Sequence, residues 1–400
     1  MAGIGVIATS GMNAAMTNMQ EISNNIANTN TIGFKKASVN FADICSQSNG
    51  GNLSQGLGVN VTSIKQDFSA GQLETTNSGL DLSLNNSGFF IQRDPVAGTS
   101  SYTRAGRFTL DNNGYILGLG GRIQGFSAVN GVMSTTGQLA DLQIPQKQAP
   151  ALPTTLASQT FNLDSSSTVP VNAFSQTDPT SYNYRVDSTV YDSLGAPNAL
   201  TVFYVNTGPN AWDAQVAVNG TSLGAPGNVT FNSDGSLGTV TGLGALAWNP
   251  VGGAASPQSL QVDVTGATQF SNANQIMSNS ANGCPSGLPT GFNIDNNGQI
   301  NVYYSNGQTQ IQGQLAVANF AAPQNLGRGD SMSWTPTSLS GAAIVNMSSS
   351  ANAFNSGSVE LSNVDLTEEL VSLLSSQHDF QANAQVEQTY NQVLQTIEQL

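Results

Sequence analysis

The sequence predicts an α+β chain. Terminal α-helices form a coiled-coil-like core domain, and two mainly antiparallel β-domains follow, the second inserted into the first. Three observations lead there. Apolar residues near both ends repeat at alternating spacings of 4 and 3, and the middle alternates with the period of a strand. The composition, with 42 glycines, 38% hydrophobic residues and only 8% charged ones, describes turn-rich β structure rather than a helical bundle.

Ala8, Met12, Ala15, Met19, Ile22 and Ile26 are spaced 4, 3, 4, 3, 4, which is the a/d seam of a coiled coil or bundle helix. The helix should fade at Asn28-Thr29-Asn30-Thr31, where side-chain hydrogen bonds favour turns, and stop by Gly33. At the other end, Ser362-Asn363-Val364-Asp365 offers cap residues, and Glu368 and Glu369 suit the positive end of a helix dipole. Leu366, Leu370 and Leu373 follow, then Val386, Tyr390, Val393, Ile397 and Leu400. The two runs do not share a register, so a break or stutter is expected between Phe380 and Val386. A helix over 363–400 would be about 55 Å long at 1.5 Å per residue. Neither helix can cover its apolar stripe alone. The simplest solution pairs the two and leaves the remaining apolar face to other copies, so that the ends order on assembly.

Between the ends, Leu80–Leu84, Tyr184–Val190, Leu200–Val205, Trp212–Val218 and Leu260–Val264 read as strands. Phe108–Ile116 and Phe292–Ile300 both carry Asp-Asn-Asn-Gly between apolar ends, and Phe231–Leu237 is a looser cousin; each reads as a strand, an Asx/Gly turn and a return strand. A calcium loop is the alternative, but position 12 counted from Asp111 is Arg122 where a bidentate Glu would be needed. Proline-rich 145–153 and 281–291 bracket the insertion. The expected division is a helical core of 1–33 and 361–400, a connecting segment of 34–70 and 353–360, a first β-domain of 71–145 and 285–352, and an inserted β-domain of 146–284. Within the connection, 45–58 reads equally as a joint and as a flexible loop.

With 10 Lys+Arg against 24 Asp+Glu the net charge is −14, which argues against nucleic-acid binding and against docking on anionic lipid. No apolar run is long enough to span a membrane as a helix, and the first residues lack the basic region of a cleaved secretory signal. Cys45 and Cys284 read as isolated thiols. The single histidine, His378, reads as a helix-surface residue, which leaves no His-based metal cluster and no triad. No catalytic, metal or cofactor site is expected.

Three ordered blocks carry a resemblance. Ser10-Gly11-Met12-Asn13-Ala14-Ala15, Ile22-Ser23-Asn24-Asn25-Ile26-Ala27-Asn28 and Gly33-Phe34-Lys35-Lys36 resemble the N-terminal signature of bacterial flagellar rod and hook proteins. Gly88-Phe89-Phe90 and Tyr102-Thr103-Arg104-Ala105-Gly106-Arg107-Phe108 are similar to that family's first β-domain. Leu361 to Leu366, with Asn363 and Asp365, and Gln381-Ala382-Asn383-Ala384 match its closing signature. One departure is visible: where the family usually has Arg and Tyr, this chain has His378 and Phe380, and 361–400 contains no Lys or Arg.

The length and the insertion resemble the hook members of the family more than the shorter distal-rod members. The resemblance implies a structural subunit of many copies in a short curved tube, a universal joint transmitting torque from rod to filament. It implies an extracellular location in the flagellum, export without a cleaved signal, and distal-rod, hook-cap and hook–filament junction proteins as partners. The alternatives are a distal-rod or hook-associated protein of the same family and a secreted β-rich adhesin. In the tube, the apolar residues of both terminal helices are the expected interface. Asn24, Asn25, Asn28 and the polar C-terminal helix would line the channel, and the charge-poor β-domains would make sliding, water-bridged outer contacts.

Overall fold

The computed structural model describes residues 2–46, 55–129, 131–134, 138–345 and 353–398. The chain divides into two compact units, one of Met1–Pro145, Gly291–Val302 and Gln310–Leu400, the other of Gln146–Thr290 and Tyr303–Thr309.

In the first unit, α1 (Ala2–Ala27) runs through the N-terminal signature and frays into the asparagine-rich turn. There Thr31 Oγ1 donates to Asn28 Oδ1 at 3.1 Å, and Gly33 turns the chain with φ of 71°. α2 (Leu366–Glu398) starts at Asp365, whose Oδ1 accepts from the backbone N–H of Thr367 (2.8 Å) and Glu368 (3.2 Å). α2 is one unbroken helix through Phe380–Val386, where the apolar spacing predicts a break or stutter.

The segment expected to be a joint or flexible loop is a long antiparallel hairpin of β1 (Ala37–Ser46) and β2 (Gln55–Gln66), so the loop reading of 45–58 is corrected for 45–46 and 55–58; residues 47–54 lie outside the described ones. Alternation at Ala37, Val39 and Phe41, and at Leu57, Val59 and Val61, is the signal for it. The hairpin lies along α1, with Val59 N donating to Ser10 Oγ at 3.2 Å.

The β part of this unit contains the strand order 309–315, 121–129, 89–93, 100–103, 333–335, 327–328. Phe89 and Phe90 are adjacent on one strand and point to opposite faces of the sheet. Phe89 meets Phe68, Phe320 and Trp334 at ring centroids 5.1, 5.7 and 5.7 Å apart, while Phe90 meets Phe108 at 5.0 Å and Phe354 at 6.0 Å. The two Asp-Asn-Asn-Gly hairpins share one geometry. Asp111 Oδ1 accepts from Asn113 N and Tyr115 N, and Asp295 Oδ1 accepts from Asn297 N and Gln299 N, so each carboxylate is spent on its own turn.

The second unit contains two sheets whose facing side chains form one core. Phe161, Leu163, Leu260 and Val262 come from one sheet, and Val190, Val202, Tyr204, Trp212 and Val229 from the other. It is less uniformly antiparallel than expected: strand 156–164 pairs in parallel with 258–263 and 268–270, and antiparallel with 275–281. Tyr204 Oη donates to Gln159 Oε1 at 3.1 Å, and burial pushes its pKa well above the usual tyrosine range. The unit also includes the turn 303–309, because Asn306 Nδ2 donates to Pro285 O at 2.7 Å and Ser305 N to Leu288 O at 2.9 Å. Cys45 is an exposed free thiol of the first unit and Cys284 a buried free thiol of the second.

Phe161 is fully buried, with its ring centroid 4.5 Å from that of Tyr204. Phe161→Ala should destabilise the second unit by about 3–5 kcal/mol. Hydrogen exchange is the check: amides of 156–164 and 197–208 should lose protection while those of 89–93 and 100–103 keep theirs.

Candidate assembly interface

The two terminal helices meet through a seam of small and polar residues. Along α1, Gly5, Gly11, Asn18 and Asn25 face Tyr390, Asn383, Ser376 and Glu369 of α2. From Gly11 onward each step of seven up α1 is a step of seven back along α2, which is an antiparallel heptad in one continuous register. A methyl group on Gly11 would stand 2.6 Å from Asn383 Oδ1, and one on Gly5 would stand 3.0 Å from the Tyr390 ring, so the helices approach where α1 has no side chain. Asn18 Nδ2 donates to Ser376 Oγ at 2.7 Å and Asn25 Nδ2 to Glu369 Oε2 at 3.2 Å.

The expected apolar interface residues divide between two faces. Ala8, Ala15 and Ile22 are buried and Met12, Met19 and Ile26 half-buried. On α2, Leu373 and Tyr390 are half-buried, whereas Leu366, Leu370, Val386, Val393 and Ile397 are all 45–47% exposed; Leu400 lies outside the described residues. Val371 and Leu374, which the spacing missed, are exposed with them, as are Ile4, Val6, Ile7 and Met16 of α1. The apolar residues of α2 are therefore mostly left exposed by its pairing with α1, and Val386 and Val393 line an open groove with Ile4 of α1. His378 and Gln381 are also exposed, and Asn383 is half-buried with its amide donating to Asp379 O at 2.8 Å.

The pair is fastened at one end. Asn25 is 1% exposed, and its amide donates to Ala37 O (2.9 Å) and accepts from Ala37 N (3.0 Å), tying the end of α1 to the start of β1. Asn363 does the same for α2: its Oδ1 accepts from Lys36 N at 2.8 Å and its Nδ2 donates to Asp67 O at 2.9 Å. Asn25 thus cannot line a channel. Asn28 is half-buried and donates back to Asn24 O at 2.9 Å, so its amide is also spent locally. The expectation of an asparagine-lined channel is corrected for Asn25, which is buried with its amide on Ala37 N and O.

Beside these clamps lies a buried ionic group. Glu360 receives Lys35 Nζ at 2.6 Å on one carboxylate oxygen and Arg104 at 3.2 Å on the other, and Gly71 N donates to it at 2.8 Å. All three charged side chains are at most 2% exposed. Burial pulls the Lys35 ammonium below the usual lysine range, opposed by Glu360, and lowers Arg104 for the same reason. Arg104 also stands over the Phe89 ring, 5.4 Å from its centroid. The close approach needs glycine: a methyl on Gly33 would fall 2.5 Å from Ala105 N, and one on Gly106 would strike Leu82 O at 1.6 Å. Gly88 similarly leaves room for Val317 Cγ1, and Phe34 is packed at 2% exposure beside this junction. The motif residues Gly33, Phe34, Arg104, Gly106, Asn363 and Asp365 thus gather where the segments after α1 and before α2 meet the sheet. Sequence reading missed Lys35 and Glu360 as a pair, since they are 325 residues apart.

Glu360→Gln leaves two buried cations without a counter-ion and should cost about 3–5 kcal/mol of stability in chemical denaturation. Lys36→Ala, which removes the exposed pair with Glu368 (3.4 Å), should cost less than about 1 kcal/mol. Gly11→Leu sets two effects against each other, because leucine favours a helix by somewhat less than about 1 kcal/mol over glycine but cannot fit against Asn383. Steric exclusion should win, seen as faster proteolysis of α1 with the β strands intact.

Residues 7–35 match the family described as flagella basal body rod protein, 162–284 the flagellar basal body protein FlaE D2 domain, and 355–400 the flagellar basal body rod FlgEFG protein C-terminal family. The chain is 36% identical over 410 residues to the flagellar hook protein FlgE of Escherichia coli (strain K12), with 98% of each chain covered. It is 31% identical over 436 residues to that of Borreliella burgdorferi, again with 98% of each covered. The crystal structure of Helicobacter pylori flagellar hook protein FlgE2 shares the fold, at a TM-score of 0.53 and 13% identity, over 72% of this chain and 99% of that one. With this likeness over nearly its whole length, the chain belongs to the flagellar hook protein family: it is a structural subunit of the bacterial flagellar hook and not an enzyme.

Proposed function

We propose that the chain polymerises with many copies of itself into a short, curved, flexible tube outside the cell, carrying torque from rod to filament. The observation that carries this reading is the exposed apolar face of the terminal helices. α1 and α2 already pair within one copy, yet Leu366, Leu370, Val371, Leu374, Val386, Val393 and Ile397 stay exposed. An apolar surface of that extent on paired helices is covered by further copies. In this reading 1–33 and 361–400 build the tube wall, 34–70 and 353–360 connect it to a first β-domain of 71–145 and 285–352, and 146–284 is an outer domain inserted there. The distal-rod, hook-cap and hook–filament junction proteins meet the tube at its ends, and the subunit leaves the cell without a cleaved signal. The outer β surfaces, poor in charge and rich in Ser, Thr and Asn, slide against their neighbours through water-bridged contacts at low cost, while the apolar wall stays fixed.

Electron microscopy of the full chain beside a Leu370→Glu/Val393→Glu variant tests the reading. The full chain should form curved tubes. The variant, whose replaced side chains are both 45–47% exposed, should keep its helical circular dichroism and remain monomeric. Tubes from the variant would refute the interface, and straight rigid tubes from the full chain would favour a rod-type subunit.

A further inference from the structure

The last turn of α1 contains no basic residue, so the negative end of its dipole is unanswered by its own sequence. A cation reaches it from elsewhere in the first unit. Arg328 lies on strand 327–328, at the edge of the sheet beyond strand 333–335. Its Nη1 and Nη2 both stand 3.1 Å from the same side-chain atom of Asn24. A guanidinium only donates, so that atom is the amide oxygen, and the contact is a fork closing on one acceptor. The guanidinium carbon also lies 5.7 Å from the centroid of the Phe34 ring. Among the described residues Arg328 has no carboxylate within ion-pair distance. The turn that returns from Arg328 to strand 333–335 holds Ser331 and Met332 at φ of 55° and 59°, a conformation that costs energy in residues with side chains. Thr103 Oγ1 donates to Met332 O at 2.8 Å and keeps it there.

We infer that Arg328 is a positioning residue, a releasable latch that holds the C-terminal end of α1 against the β-sheet. It differs in kind from the Lys35–Glu360–Arg104 group. That group is buried and gives the chain a fixed point, whereas Arg328 is exposed and its release would uncover only the face of Phe34 that it stands over. One permanent attachment and one weak attachment on the same helix end form a pivot with a stop. The inference concerns the folded chain and stands whether or not the chain polymerises, so its failure and that of the tube reading are separately visible.

Hydrogen exchange on the full-length monomer at low salt is the test, with Arg328→Met, Arg328→Lys and Asn24→Ala compared with the parent. Losing a cation at a helix end corresponds to roughly two- to fivefold faster exchange. Arg328→Met and Asn24→Ala should each speed exchange of residues 24–31 by about that factor. Arg328→Lys should restore part of the protection, and 1 M salt should speed the parent alone toward the variants. Strand 358–360 should be unchanged in every case. Unaltered exchange of 24–31 in both Arg328→Met and Asn24→Ala would overturn the latch. So would loss of protection spreading to 358–360, because the residue would then be part of the buried junction.

Discussion

Glu360 is the residue on which the architecture of the first unit turns. It is one carboxylate answering two buried cations, and each cation comes from a different stretch of chain: Lys35 from the segment after α1, and Arg104 from the loop that follows strand 100–103. Glu360 itself ends the strand that leads to α2. Burying ions is expensive, and a pair in such a place is weak evidence for stability but a strong specifier of geometry. A hydrophobic cluster would tolerate some sliding of these segments. Hydrogen bonds at 2.6, 2.8 and 3.2 Å on one carboxylate tolerate little. The glycines at 33 and 106 belong to the same constraint, since backbone must pass within contact distance of backbone for the charges to reach.

From that junction outward the chemistry changes in steps. Asparagine amides clamp the ends of the helices to β1 and to the loop after β2. Beyond the clamps the helices touch through glycine, alanine, serine and asparagine, a seam with good shape but modest apolar area. Farther out still, leucine, isoleucine and valine face solvent. The helix pair therefore spends much of its polar chemistry on internal geometry and leaves most of the apolar residues of α2 exposed for neighbours. This is the reverse of an ordinary globular helix pair, where the apolar stripe closes the pair itself.

The sequence makes much of this legible, and where it does not the reason is physical. Helix α1 shows itself through the spacing of Ala8 to Ile26, and strands such as 184–191 and 211–218 through alternation. The seam of α2 does not show in its apolar spacing, because Glu369, Ser376 and Asn383 occupy three of the four positions that face Asn25, Asn18, Gly11 and Gly5. The apparent change of register near Phe380 arises because the apolar residues counted lie on two different faces. Asn25 reads as a channel-lining polar residue because exposure cannot be told from buried hydrogen bonding by residue type alone. The hairpin of β1 and β2 is obscured by the glycine- and serine-rich stretch between them, although its alternation is present in the sequence.

The buried side-chain fastenings of α1 and α2 gather at one end, around Asn25, Lys36, Asn363 and Glu369, while farther out α1 is also held to the hairpin of β1 and β2, through Val59 N on Ser10 Oγ. Mechanically the pair is a beam rooted in the sheet and braced along α1 by the hairpin. Thirty-three residues of α2 extend about 50 Å at 1.5 Å per residue. A rotation of about five degrees at the root would then carry the free tip about 4 Å sideways, roughly the width of a methyl group. Changes too small to disturb any hydrogen bond at the junction thus become displacements large enough to re-seat apolar side chains at the tip. The stiffness of the root and of the hairpin that braces α1, rather than that of the helices, sets how far one copy can accommodate the next.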